Sequence, residues 1–124
     1  MRSLVIDVGT SGLRAAVVEA DASVSNLHYE ECAPHSPVGG LVEFDAVAMY
    51  TAVKRVSLLA LQSGPVQSVG ITNQRASAVA WRASTGQPIG PAIGWQDLRT
   101  VGECIMARAE HGFTLAPNQS ATKY

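Results

Sequence analysis

Short apolar runs broken by turn chemistry mark the first third of the chain. Leu4-Val5-Ile6-Asp7-Val8 predicts a strand, and Gly9-Thr10-Ser11-Gly12 a turn with two glycines able to take positive φ. Leu13 to Glu19 predicts a second strand, through Ala15, Ala16, Val17 and Val18. After an Asp21-Ala22-Ser23 turn, Val24 to Cys32 predicts a third strand, although its alternation is weak.

The period then changes. Pro34 to Gly40 holds two prolines and two glycines and predicts a loop. Asp45 is a good N-cap, because its carboxylate can accept the unpaired amides of a first helical turn. Met49, Val53, Val56 and Ala60 follow at helical spacing, with Ala52 and Leu59 beside them. Gly64-Pro65 ends that helix. Val66 to Thr72 predicts a buried strand, and Ser77 to Trp81 another. A second helix is expected from about Asp97 to Glu110, stopped by Gly112. Ser120 to Lys123 predicts the first turn of a further helix with Ser120 as cap, and the chain ends before that helix reaches a stable length. The order β-β-β-α-β-β-α is a mixed α/β sheet whose first three strands form an antiparallel edge. A Rossmann start would place a helix directly after the first glycine loop.

Composition narrows the function classes. The chain has 124 residues, 47% hydrophobic, with a net charge of −1, which excludes disorder and fits one domain. Nine Lys and Arg against ten Asp and Glu give no basic nucleic-acid surface. The charged fraction is 15%, below the roughly 25% of ordinary domains, so the core is large or apolar surface meets a partner. No apolar run suits a signal peptide or a membrane span. Cys32 and Cys104 form no CxxC pair and read as thiols of a cytoplasmic protein. His28, His35 and His111 are scattered and make no metal spacing.

Three segments carry candidate chemistry. Asp7 to Arg14 lacks the GxxxxGK[ST] and GxGxxG patterns. A glycine-hydroxyl turn of Gly9, Thr10 and Ser11 can aim amides and hydroxyls at a phosphate, Arg14 can neutralise phosphoryl oxygens, and Asp7 can hold a hydrated Mg²⁺. An ordinary hairpin with a surface arginine fits the same residues. Gly70 to Ser77 runs from an apolar strand into Thr72-Asn73-Gln74-Arg75, a position where α/β sheets place ligand contacts. Arg75 suits hydroxyl or phosphate oxygens, or is a solvated loop residue. Trp95, in Ile93 to Thr100, suits the carbon face of a sugar or polyol, or a core or interface role. Asp97 and Arg99 read as cap and support for the helix start.

Taken together these segments resemble the FGGY family of carbohydrate kinases, nearest its glycerol kinase branch. The matching pieces are Asp7-Val8-Gly9-Thr10-Ser11 with Arg14, Gly70 to Arg75, Thr85-Gly86-Gln87-Pro88, Trp95 to Thr100, and Ser120-Ala121-Thr122-Lys123. Their order and spacing agree along nearly the whole chain.

The resemblance implies an actin-like, ribonuclease-H-like fold, and γ-phosphoryl transfer from ATP to a polyol or sugar hydroxyl. It implies that Asp7 organises Mg²⁺, that Gly9, Thr10, Ser11 and Arg14 meet ATP phosphates, and that Arg75 and Trp95 hold the substrate. Glycerol kinases usually carry a Glu where this chain has Ala76, which turns the expectation towards a different polyol or a sugar. The family's general base and most of its adenine site lie later in the family's sequence. Residues 1–124 are therefore expected to be the first part of the N-terminal domain, without the C-terminal domain and inactive alone. Apolar faces left open in such a piece predict self-association. A non-catalytic actin-like binding or regulatory module is the alternative from another class.

Overall fold

The computed structural model describes residues 1–124. The chain divides into two units, one of Met1–Ala33 with Val47–Gln74 and one of Pro34–Ala46 with Arg75–Tyr124.

The first unit is built on a four-stranded sheet in the order β3-β2-β1-β5. Strands β1 (Ser3–Val8), β2 (Gly12–Val18) and β3 (Val24–Glu31) form the expected antiparallel meander. Strand β5 (Ser68–Asn73) joins β1 in parallel, after the crossover through helix α1 (Ala46–Ala60). Leu4 and Ile6 of β1 and Leu13 and Ala15 of β2 share the face on which Ala52, Val56 and Ala60 of α1 pack. Of the stripe read from the sequence, Val56 and Ala60 are buried and Met49 and Val53 partly so, while Ala52, expected beside the stripe, belongs to the buried face. Arg55 of α1 forms a two-pronged ion pair with Glu30 of β3.

The weak alternation of β3 has a local cause. The register shifts between Ala15 and Val17, and Asn26 sits at φ 48°. That bend lets the Asn26 amide donate to the Leu59 and Ala60 carbonyls at 2.9 and 2.7 Å, which ends α1 with a side-chain cap. A 3-10 turn at Leu61–Ser63 follows, and Gly64 at φ 117° turns the chain away. Arg2 secures this corner by donating to the Glu19 carboxylate and to the Ser63 and Pro65 carbonyls.

One expectation for this unit is corrected. The strand read as buried, Val66 to Thr72, is instead an exposed edge: Val69 and Ile71 are 57% and 69% exposed. Its apolar residues reflect pairing with β1 on one side, while α1 packs over β1 and β2.

In the second unit β4 (Glu43–Phe44) pairs with β6 (Ala92–Ile93) in antiparallel fashion, a two-residue pairing too short to leave an alternation signal. Ser77 to Trp81 is not a strand. It makes single bridges at Ala78–Ile93 and Trp81–Pro88, around the turn at Gly86. Helix α2 spans Val101–His111, starting four residues later than expected, and Gly112 in the left-handed conformation closes it as expected. Ser120–Thr122 is a 3-10 turn preceded by Gln119, so Ser120 is not its cap. No helix is long and apolar enough to cross a membrane.

Candidate functional site

The hairpin between β1 and β2 brings Asp7 and Arg14 into register as a cross-strand pair. The Arg14 guanidinium donates to Asp7 Oδ2 at 3.2 Å, and both side chains are about half exposed. They stand on the sheet face opposite α1, because Ile6 and Leu13, their sequence neighbours, point into the core. Asp7 is also level with Thr72 of the parallel strand.

The turn itself is held by backbone bonds. Gly9 N–H donates to Gly12 O at 3.0 Å, and Cys32 N–H donates to Ser11 O at 3.2 Å. Neither glycine takes positive φ, contrary to the reason inferred from the sequence. Space is what each supplies. A Cβ on Gly9 would lie 2.9 Å from Gly12 O, and one on Gly12 would lie 2.4 Å from Tyr29 Cε2. Tyr29 lies across from Arg14 on β3, with the guanidinium carbon 5.1 Å from its ring centroid, and its hydroxyl donates to Ser11 O at 3.4 Å. Tyr29 escaped sequence reasoning, since its place beside Arg14 follows from a register that the bulge hides. Thus Asp7, Gly9, Ser11 and Arg14 come together, with Thr10 inside the same turn.

Arg75 and Trp95 belong to the second unit. Ala78 and Ile93 exchange backbone bonds at 2.9 Å in both directions. Arg75, three residues before that bridge, and Trp95, two residues after it, therefore leave from the same end. Arg75 is exposed and enters none of the ion pairs of the chain. Ala76 follows it at φ 62°, a conformation that costs a non-glycine residue about 1 kcal/mol. Trp95 is 39% exposed.

Beside Trp95 lies a buried charge network. Asp97 is fully buried, and its carboxylate accepts from the Val42 amide at 2.6 Å and from the Arg99 amide and side chain at 2.8–2.9 Å. Arg99 also donates to Glu43 at 2.7 Å. Burial pushes the Asp97 carboxyl up, but the Arg99 and Val42 hydrogen bonds with the Arg99 charge outweigh it and hold its pKa at about 2. Asp97 and Arg99 are thus not a helix cap with its support. They join β4 to the loop before α2, a tertiary role that local spacing does not disclose. No group of three or more His, Cys, Asp or Glu forms a metal cluster.

Residues 3–116 match the model of the N-terminal domain of the FGGY family of carbohydrate kinases, and the chain belongs to that family. It is 39% identical to a glycerol kinase of Rhodospirillum centenum and 38% to one of Trichlorobacter lovleyi, over 97% of this chain and 27% of each relative. The chain thus spans about a quarter of the length of these curated relatives. Among solved structures, a xyloylose kinase from Brucella ovis superposes with a TM-score of 0.85 at 22% identity, covering 99% of this chain and 28% of that one. A Plasmodium falciparum glycerol kinase with ADP also gives 0.85, at 20% identity, covering 98% and 28%. These likenesses bear out the actin-like carbohydrate-kinase fold expected from the sequence, present here in part.

Proposed function

We propose that this chain forms the first part of the N-terminal domain of an ATP-dependent kinase that phosphorylates a polyol or sugar hydroxyl. The observation that carries this reading is the Asp7–Arg14 pair on a glycine hairpin, in a chain matched to the FGGY family over residues 3–116. Phosphoryl transfer needs positioning and charge neutralisation more than covalent chemistry, and those are what this hairpin supplies.

Arg14 meets the transferred phosphoryl group, with Gly9, Thr10 and Ser11 lining the phosphate path. A single carboxylate such as Asp7, which Arg14 engages through one oxygen, suits Mg²⁺, which keeps most of its waters and takes one or two carboxylates plus phosphate oxygens. When bound, that ion would neutralise charge on the phosphates. Arg75 hydrogen-bonds substrate hydroxyls, and Trp95 covers the substrate's carbon face. Ala76 offers no carboxylate to a hydroxyl, which favours a polyol or sugar other than glycerol. The use of ATP goes with a cytoplasmic transferase of carbohydrate metabolism.

No residue of this chain is assigned as general base. Asp97 does not serve, because a carboxylate held at about pKa 2 with both oxygens engaged is a poor proton acceptor. The chain alone is therefore expected to be inactive. Coupled ADP-release assays with glycerol, xylulose, ribulose and erythritol test both parts of the reading. The 124-residue chain should show no turnover, and a longer protein with this segment at its start should phosphorylate at least one of them. Turnover by the chain alone would overturn its inactivity. A longer protein that binds a polyol and never releases ADP would favour the non-catalytic module.

A further inference from the structure

Lys123 is 2% exposed, in a chain where every other lysine or arginine keeps more of its surface in water. Its ammonium donates to three backbone carbonyls: Asp97 O at 3.0 Å, Pro117 O at 3.0 Å and Trp95 O at 3.4 Å. An ammonium has three N–H bonds and no acceptor, so three carbonyls satisfy it. Burial lowers its pKa, with the Asp97 charge opposing that shift and the Arg99 charge adding to it. The Asp97 carboxylate is already engaged by Arg99 and Val42, so Lys123 grips the backbone of the loop rather than the acid.

The segment that delivers Lys123 is folded for the purpose. The single Thr122 hydroxyl proton is shared between Ala116 O at 2.8 Å and Gln119 O at 2.9 Å, which closes the turn between them. That closure sets Lys123 against Pro117 O and, in the same cluster, against the two carbonyls that bracket Gln96. The charges near it balance: Asp97 and Glu43 against Arg99 and Lys123. The Trp95–Asp97 loop is thus held from two directions, by Arg99 through the Asp97 carboxylate and by Lys123 through the carbonyls.

We propose that Lys123 is a positioning residue for Trp95, its buried ammonium fixing the Trp95–Asp97 backbone and with it the indole. The link to substrate rests on the role given to Trp95 above; the link to the loop does not.

The chain has two tryptophans, so Trp81→Phe leaves Trp95 as the sole reporter. In that background, Lys123→Met should make Trp95 fluorescence about twofold more quenchable by acrylamide and lower its anisotropy. It should also speed exchange of the Leu98 amide about tenfold, while sheet amides such as Ile6 keep their protection. Lys123→Arg, which retains charge and donors, should return both readings towards the parent. Unchanged Trp95 quenching in folded Lys123→Met overturns the proposal. If that variant melts out, Lys123→Gln is followed in urea: a Trp95 change preceding loss of the sheet supports the proposal, and one coincident with global unfolding overturns it. Absence of any polyol response at Trp95, with its dependence on Lys123 intact, would defeat the substrate reading alone.

Discussion

Gly9 and Gly12 close the β1–β2 hairpin, the amide of the first donating to the carbonyl of the second at 3.0 Å. A Cβ at Gly9 would meet that same carbonyl oxygen at 2.9 Å, and backbone cannot step aside as a side chain can. Gly9→Ala is therefore expected to cost about 1–3 kcal/mol in urea denaturation and, in a longer protein that begins with this segment, to weaken Mg-ATP binding. The nearest atoms to a Cβ at Gly12 belong to the Tyr29 side chain, which is 54% exposed and able to swing. Gly12→Ala should cost less stability while moving Tyr29 off Arg14, visible as a change in tyrosine NMR shifts. Equal stability losses for the two variants would contradict this ordering.

Arg14 binds Asp7 and lies over Tyr29, but both contacts are solvent-exposed. Arg14→Gln should thus change stability by under about 1 kcal/mol. Its guanidinium is assigned to phosphoryl oxygens, so in a longer protein that begins with this segment the same change should weaken Mg-ATP binding in calorimetry by about tenfold or more. A variant that binds nucleotide as well as the parent would remove Arg14 from the phosphate path.

Asp97 links stability to pH. Its folded pKa, about 2, lies below the roughly 3.9 of an unfolded Asp, so the folded state favours the ionised form. The stabilisation is fully present above about pH 4 and fades as pH falls through 2, worth about 2–3 kcal/mol at neutral pH. Asp97→Asn should lose at least that much at pH 7, because Arg99 and the Val42 amide lose a buried charge partner. The variant's denaturation midpoint should also vary less between pH 5 and pH 2 than the parent's. A parallel pH profile in both proteins would assign the acid sensitivity elsewhere.

The sequence discloses those parts of the molecule that local patterning controls. The meander, the apolar side of α1 through Val56 and Ala60, and the stops at Gly64 and Gly112 follow from periodicity and breakers, and all are present. The sequence places Asp7 and Arg14 on the same hairpin, and the structure's register is what pairs them. What escaped depends on distant chain. Asp97 looks like a cap until Val42, 55 residues earlier, donates to it. Lys123 stands in the sequence only as the end of a helical turn, and its burial appears once three carbonyls from two loops converge on it. Val69 and Ile71 read as core because apolar strand residues usually are, and nothing in their own segment says that α1 packs elsewhere.

Those two residues carry the last prediction. They lie on the α1 side of β5, at the edge of the sheet, and are 57% and 69% exposed. An edge strand has unpaired amides and carbonyls along its outer side, and here it adds an apolar face, a combination that invites pairing between chains. The 124-residue chain should therefore self-associate, with weight-average mass in sedimentation rising with concentration. Lysine on an edge strand opposes such pairing, and Ile71 is exposed enough to accept it without a buried charge. Ile71→Lys should weaken self-association about tenfold or more while leaving the melting temperature within a few degrees of the parent. A clean monomer for the parent chain at high concentration would sink the prediction. Persistence of association in the variant would move it to another apolar surface, such as Ile105 and Met106 of α2, which are also exposed.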